Sequence, residues 1–259
     1  MMMRSLTAQT TITIKEILRG GSIIGFMLTW LLLLITATAF GTVSIGERMY
    51  VIKDFGLFLT TLAVLALTIS AGASILAKEI RQKHLYTVLS KPVSRFSYLA
   101  SKLLGIWISG LVLNLTLHLA LCCYVYLLEG SWQPTLLINT LFLAMEGLIM
   151  AACCLLIASL FVTPMLVGLV SILIFIAGRN LDSITALLEA RDVGPLLHSL
   201  LSLVQSLMPR LYLLNIVNDL TYAIMPSAAA ALHATIYGFS YATACFILSL
   251  YVFSRRDFT

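Results

Sequence analysis

The chain has 259 residues, of which 60% are hydrophobic and only 10% are charged. Its mean hydropathy of +1.02 excludes an ordinary soluble domain, in which about a quarter of the residues are charged. The net charge of +5 requires no nucleic-acid partner, because basic residues beside membrane spans and against anionic lipids account for it. The composition predicts an all-α polytopic membrane protein.

Six apolar blocks are long enough to cross a hydrocarbon core of about 30 Å as helices. The predicted spans are residues 22–44, 55–77, 98–128, 135–161, 164–190 and 227–254. The fifth block is free of charge only from Met165 to Gly178, so a short helix followed by an irregular segment is its alternative reading. The chain as a whole, residues 1–259, is predicted to be one transmembrane domain.

Basic residues predict the orientation of these spans, because Lys and Arg are retained on the cytoplasmic side. One side of the six-span arrangement holds Arg4, Lys15, Arg19, Lys78, Arg81, Lys83, Lys91, Arg95, Lys102, Arg255 and Arg256. The other side holds Arg48, Lys53, Arg179, Arg191 and Arg210, most of them offset by nearby carboxylates. Both termini are therefore predicted to be cytoplasmic, in a cytoplasmic (inner) membrane.

Residues 1–21 precede the first span and are predicted to form a cytoplasmic interfacial helix. Thr13 and Glu16 match the capping-box pattern of a helix start. Apolar and basic residues then recur at helical spacing: Ile14, Ile17 and Leu18 beside Lys15 and Arg19. An amphipathic helix of this kind lies flat on a leaflet. A frayed tail is the alternative.

Residues 78–97, between the second and third spans, are the most polar stretch of the chain. Ile80, Leu85 and Val88 give the stretch an apolar side, and Pro92 ends any helix near Ser90. The pattern predicts a short amphipathic helix that fills a groove on a cytoplasmic partner. A solvated loop that only carries the positive-inside charges is the alternative.

Residues 191–226 are predicted to be an extracytoplasmic re-entrant or interfacial region. The apolar piece from Leu196 to Met208 is too short to cross the membrane, and Gly194-Pro195 and Met208-Pro209 interrupt the chain around it. Such pieces are tolerated at membrane depth where protein surrounds them. The last span, 227–254, is followed by a cytoplasmic tail of residues 255–259.

Two ionisable residues lie deep inside predicted spans. Counted from the ends of antiparallel spans, His118 and Glu146 both lie about 15 Å deep. We therefore predict that they meet as an intramembrane polar pair. The pair either fastens two helices or serves as a proton or substrate site.

The second span is rich in small and hydroxylated residues. Thr61, Thr68 and Gly72 lie along one side and are candidates for lining a transport pathway. Ala66, Ser70 and Ser74 lie along another side. Small residues permit close approach between helices, so packing against a neighbour is the alternative for either side.

Motifs for soluble catalysis are missing from the sequence: it has no nucleotide-binding glycine loop, no zinc-protease pattern and no nucleophile elbow. The five cysteines lie in apolar runs without metal-ligand spacing, which favours a packing role. We therefore predict no catalytic residues, no metal and no cofactor on this chain. An intramembrane enzyme that uses Glu146 and His118 is an alternative.

Several segments carry a family resemblance. Asp54 to Leu57, Glu79, Tyr86 to Arg95 and Ser101 to Gly105 resemble the signature region of permeases of the type-2 ABC transporter family. Three shorter segments also look like their counterparts there: Thr163-Pro164, Met208 to Tyr212 and Arg255 to Phe258. The resemblance covers most of the chain.

The resemblance implies an exporter subunit with six spans, an elbow helix and re-entrant helices. It implies a coupling helix that docks on a separate ATPase, formed by Glu79, His84, Leu85, Tyr86, Thr87, Val88, Leu89, Lys91, Pro92 and Arg95. Two permeases would meet around spans two and five and bind two ATPases, which carry the ATP and Mg²⁺. An extracytoplasmic accessory protein is a further implied partner. The resemblance names no cargo, and a membrane scaffold that only recruits a cytoplasmic partner is a third reading.

Overall fold

The computed structural model describes residues 2–41, 48–81, 94–161, 163–184, 195–222 and 224–255, and their regular secondary structure is entirely helical. Five helices are long and apolar enough to cross a membrane. They are α2 (Ser22–Gly41), α3 (Arg48–Arg81), α4 (Arg95–Glu129), α5 (Asn139–Leu160) and α9 (Ala228–Ser254). The predicted all-α, polytopic architecture is confirmed at this level.

Shorter helices connect or flank these five. They are α1 (Met2–Arg19), α6 (Pro164–Arg179), α7 (Pro195–Leu207) and α8 (Val217–Thr221). Two 3₁₀ helices, Pro134–Ile138 and Leu211–Leu214, precede α5 and α8. The helix α7 falls where the sequence predicted an apolar piece too short to span, and its depth in the membrane stays a prediction.

The fifth predicted span, residues 164–190, is not among the five spanning helices, and its last part, residues 185–190, lies outside the described residues. Helix α6 has 16 residues, about 24 Å, and breaks at Asn180, although residues 181–184 add one more helical turn. It is therefore shorter than a hydrocarbon core of about 30 Å. Its last residue, Arg179, forms an ion pair with Glu146 inside the bundle.

Helix α1 and the end of α9, the first and last described helices, lie on one side of the helix bundle, which we call the loop side because α3 ends and α4 begins there. Arg95, the first residue of α4, donates to the carbonyls of Phe253 and Ser254 at the end of α9. Helix α1 packs against α4 near its start, where Gln9 accepts from the Ser101 hydroxyl at 3.1 Å. Which side of a membrane the loop side faces stays a prediction.

The predicted capping box at Thr13 and Glu16 is wrong, because helix α1 begins well before it, at Met2. Thr13 lies in the middle of α1, is buried, and donates its hydroxyl to the Gln9 carbonyl one turn earlier. Thr side chains often bond to the preceding turn in this way, so the pattern alone does not fix a helix start. Thr13 packs so closely on Gly105 of α4 that a Cβ there would lie 2.6 Å from its methyl group.

Helix α5 is the centre of the bundle and is buried along most of its length. It packs against α3, α4, α6 and α9. Small side chains permit these contacts: an added Cβ on Gly72 of α3 would lie only 2.6 Å from Cys154 of α5. Ser159 of α5 and Ser249 of α9 share a hydrogen bond of 2.8 Å.

Candidate functional site

An ion pair joins α5 and α6 inside the bundle. Arg179 donates from Nε to Glu146 Oε1 at 2.9 Å and from Nη2 to Glu146 Oε2 at 2.8 Å. The Glu146 side chain is 1% exposed and that of Arg179 is 16% exposed. The guanidinium also lies over the Phe175 ring, 5.5 Å from its centroid. The bidentate geometry satisfies both carboxylate oxygens, as a buried charge requires.

A second polar contact holds the same two helices in register. Cys154 donates its thiol to the Ser171 hydroxyl at 3.2 Å. Cys154 is eight residues after Glu146, and Ser171 is eight residues before Arg179, so the two contacts form rungs between antiparallel helices. Most other side chains of α6 are partly or fully exposed, and α6 also packs against α3 and the 3₁₀ helix Leu211–Leu214.

The end of α6 also meets the segment between α7 and α8. An added Cβ on Gly178 would lie 2.6 Å from the Pro209 carbonyl oxygen, so only glycine allows this approach. Tyr237 and Tyr241 of α9 fasten the same segment: the Arg210 amide donates to Tyr237 Oη at 2.7 Å, and Tyr241 donates to the Leu207 carbonyl at 3.0 Å. The end of α6, which carries Arg179, is thus held by α5 and by the segment between α7 and α8, and α9 holds that segment in turn.

The predicted contact between His118 and Glu146 is not formed. His118, which is fully buried, donates from Nδ1 to the Asn114 carbonyl at 3.0 Å, and its Nε2 accepts from the Asn139 amide at 3.2 Å. Asn139 lies on α5 seven residues before Glu146, about 10.5 Å along the helix. The Cys122 thiol donates to the Gln133 carbonyl, so the chain before α5 already lies at the level of Cys122, about 10.5 Å before the end of α4 at Glu129, and equal residue counts did not mean equal depth.

Sequence reasoning missed Arg179 as the partner of Glu146, although a signal was present. Glu146 precedes the end of α5 at Leu160 by 14 residues, and Arg179 follows the start of α6 at Pro164 by 15. Counted from this turn at 1.5 Å per residue, the two charges lie about 21 and 23 Å along antiparallel helices. Counting residues from the turn between α5 and α6 therefore gives the relative depth of two side chains better than counting from the estimated ends of the spans.

An apolar cleft of about 910 Å³ lies between α2, α3 and α6. Phe26 lines it from α2, Ala66 and Ala73 from α3, and Gly168 and Leu169 from α6. Exposed apolar side chains along α6 continue its wall to the surface of the bundle. Its size falls in the range of small-molecule sites.

The structure distinguishes the two sides of the second span. Thr61, Thr68 and Gly72, the predicted pathway-lining residues, do not line the cleft. Thr61 and Thr68 are buried, Gly72 abuts Cys154, and Thr68 lies beside Gly110 of α4. Their small size serves close packing within the chain. The cleft is lined instead from the other side of the span, by Ala66 and Ser70.

The predicted coupling residues fall into three groups. Glu79 lies in the last turns of α3, so that end of the predicted loop is a continuation of the span. Arg95 begins α4 and caps the end of α9. The other eight lie outside the described residues: His84, Leu85, Tyr86, Thr87, Val88, Leu89, Lys91 and Pro92.

No protein-family model matches the chain, and no curated protein matches it. In the described part of the chain, no three His, Cys, Asp or Glu side chains are grouped to hold a metal ion. Because His118 and Glu146 each bond to a different residue, the arrangement does not assemble the acid–base pair that the intramembrane-enzyme alternative needs.

Proposed function

We propose that this chain is the membrane-spanning permease subunit of an ATP-driven exporter of the type-2 ABC class. Two copies form the translocation pathway, and each engages a separate ATPase subunit that binds ATP and Mg²⁺. The observation that carries the proposal is the open apolar cleft along α3 and α6, on the faces where the family resemblance would bring two copies together.

The packing of α6 supports this proposal. An exporter needs an element that moves relative to a fixed core, as in the rigid-body switches of transporters. Helix α6 lies at the edge of the bundle, with only Val167, Ser171 and Gly178 buried, whereas α5 is buried almost throughout. Because the Glu146–Arg179 pair and the Cys154–Ser171 contact fasten α6 to α5, the cleft wall formed by α6 shifts either with α5 or by breaking these contacts.

The loop side supplies the proposed coupling route. Residues 82–93 join the ends of α3 and α4, and they contain most of the segment that resembles a coupling helix. Arg95 connects the end of this segment to the last turn of α9. Displacement of the loop by an ATPase would thus act on α3, α4 and α9 together. In this proposal the loop side is cytoplasmic, and an extracytoplasmic accessory protein would meet the opposite side.

Purification from the native host tests the proposal. We expect an ATPase subunit to copurify with the chain in a two-to-two assembly. Recovery without any nucleotide-binding partner would contradict the transporter assignment. A partner whose ATPase rate is the same with and without the chain would favour the scaffold alternative.

Substitutions in the loop test the coupling step. Leu85→Asp and Leu89→Asp should abolish stimulation of the partner ATPase, because a charged side chain cannot fill an apolar groove. Gln82→Asp, a change at a polar position of the same loop, is the matched control and should preserve it. Membrane insertion, checked by yield and monodispersity, should be equal in all three. Unchanged stimulation in both leucine variants would rule out this helix.

A further inference from the structure

The segment between α7 and α8 is attached to α9 far from the start of that helix. Tyr241 donates to the Leu207 carbonyl, and the Arg210 amide donates to Tyr237. Tyr237 and Tyr241 follow Ala228, the first residue of α9, by nine and 13 residues, which is about 13.5 and 19.5 Å at 1.5 Å per residue. The whole of α9 is about 40 Å long, so the end of α7 lies near its middle.

The level of this attachment falls in the apolar part of α9. Exposed apolar side chains lie between the start of α9 and the level of Tyr237, among them Leu232 and Ile236, so this stretch of the helix faces hydrocarbon. Helix α7 has 13 residues, about 19.5 Å, and this length reaches from the start of α9 to the level of Tyr241. Irregular backbone at such a depth is either buried in protein or borders water.

Arg210 carries a positive charge at this level. It is exposed, and its side chain forms no ion pair or hydrogen bond with any residue in the described part of the chain. A guanidinium that faces lipid at this depth is costly, so arginines inside a membrane face a water-filled cavity or a paired charge. The space beside Arg210 therefore holds water.

Helix α7 has two exposed sides of opposite character. Ser202 and Ser206, which are four residues apart, are exposed on one side. Leu203 and Leu207 are exposed on another side, about 100° further around the helix. The leucine side suits lipid and the hydroxyl side suits water, so α7 lies at the border between the two. Ser206 is four residues before Arg210, so the hydroxyl side leads to the turn that carries the charge.

We propose that α7 and Arg210 line a water-filled vestibule that opens on the side of the bundle opposite the loop side and binds the anionic group of a ligand. The guanidinium presents N–H donors in a planar fork, which matches the oxygens of a carboxylate or a phosphate. The vestibule and its charge are properties of the chain itself. Only the interpretation of the anion as part of an exported cargo rests on the proposed function.

Cysteine accessibility in sealed vesicles tests the vestibule without any ATPase. In a variant without native cysteines, Ser202→Cys and Ser206→Cys should react with an impermeant sulfonate-bearing methanethiosulfonate. The reagent is added on the side where Ser131→Cys, in the turn after α4, reacts. Leu203→Cys and Leu207→Cys are the matched controls at nearly the same depth and should not react, because the reagent does not enter lipid. Unreactive serine positions would overturn the vestibule, and equal reaction at all four positions would mean that α7 lies outside the membrane.

The charge preference of the vestibule provides the second arm. At Ser206→Cys, the rate with the sulfonate reagent is divided by the rate with a trimethylammonium reagent of the same reactive group. We expect Arg210→Gln to lower this ratio about tenfold, because a fixed positive charge attracts anions and repels cations. Arg210→Lys keeps the charge and should keep most of the ratio. An unchanged ratio in Arg210→Gln would overturn the anion assignment.

Failure of this proposal and failure of the proposed function are distinguishable. An anion-selective vestibule in a chain that brings no ATPase from its host would leave the site standing and remove the transporter assignment. A copurifying ATPase with unreactive serine positions would do the opposite. Should Arg210→Gln not fold, sulfate decides the anion assignment: it should slow the reaction of Ser206→Cys relative to chloride at equal ionic strength, and equal rates would overturn the assignment.

Discussion

Arg179 neutralises Glu146 of α5, the only fully buried carboxylate among the described residues. A charge in that position is costly without its partner. Replacing Arg179 with Leu should lower the free energy of unfolding by about 3–5 kcal/mol, because it leaves the Glu146 carboxylate buried and unpaired. The double variant Glu146→Gln with Arg179→Leu should recover most of the loss, because it removes both charges. Denaturant unfolding followed by tryptophan fluorescence measures these differences.

Arg210→Leu is the matched control for this cycle. Arg210 is exposed and uses its backbone amide for the bond to Tyr237, so losing its side chain should change stability little. A double variant no more stable than Arg179→Leu would contradict the pairing. If the ion pair is structural, transport by the proposed assembly should survive Glu146→Gln.

Two helical glycines give contrasting predictions at the same scale. Gly72→Ala should destabilise the chain by about 1–3 kcal/mol, because its Cβ would meet Cys154 at 2.6 Å and force α3 away from α5. Gly147→Ala should be neutral or stabilise by up to about 1 kcal/mol, because no atom lies within 4 Å of its added Cβ and alanine favours helix. Equal thermal stability of the two variants would contradict the α3–α5 contact.

At the scale of helices, α5 and α9 pack side by side in the same direction. Cys153 of α5 and Cys245 of α9 bring their sulfurs to 3.9 Å, although neither residue is in a disulfide. A short, membrane-permeant thiol cross-linker should therefore join these two helices within one chain, as read by peptide mass. Cys245→Ser is the control and should abolish that product. Both thiols labelled singly, without a cross-link, would mean that the helices are shifted.

The sequence was sufficient to predict where the long helices lie but not how they pair. Apolar runs set the length of α2, α4 and α9, because hydrophobicity acts on each segment alone. Pairing depends on which faces meet: Thr68 and Gly72 have the same small size whether they line a pathway or abut a neighbour. For the same reason the sequence did not predict that Glu146 pairs with Arg179, a residue that the distribution of basic charges placed outside the spans.

For the whole molecule, the described arrangement predicts one side for both ends of the chain. In a variant without native cysteines, Thr11→Cys in α1 and Ser254→Cys at the end of α9 should be modified by an impermeant maleimide from the same side of sealed vesicles. Ser131→Cys, in the turn after α4, should be modified only from the opposite side. Labelling of Thr11→Cys and Ser131→Cys from one side would contradict the arrangement. Inverted and right-side-out vesicles then decide whether the loop side is cytoplasmic.

The parallel packing of α5 and α9 has a consequence for biogenesis. A chain is inserted in the order of its synthesis, so α5 enters the lipid while its final neighbour is still on the ribosome. Residues 161–227 separate the two helices, and until they are made, Cys153 and Ser159 face lipid or a chaperone of insertion. Damage to α9 would therefore appear as early degradation of a half-assembled bundle, before any folded protein could lose activity.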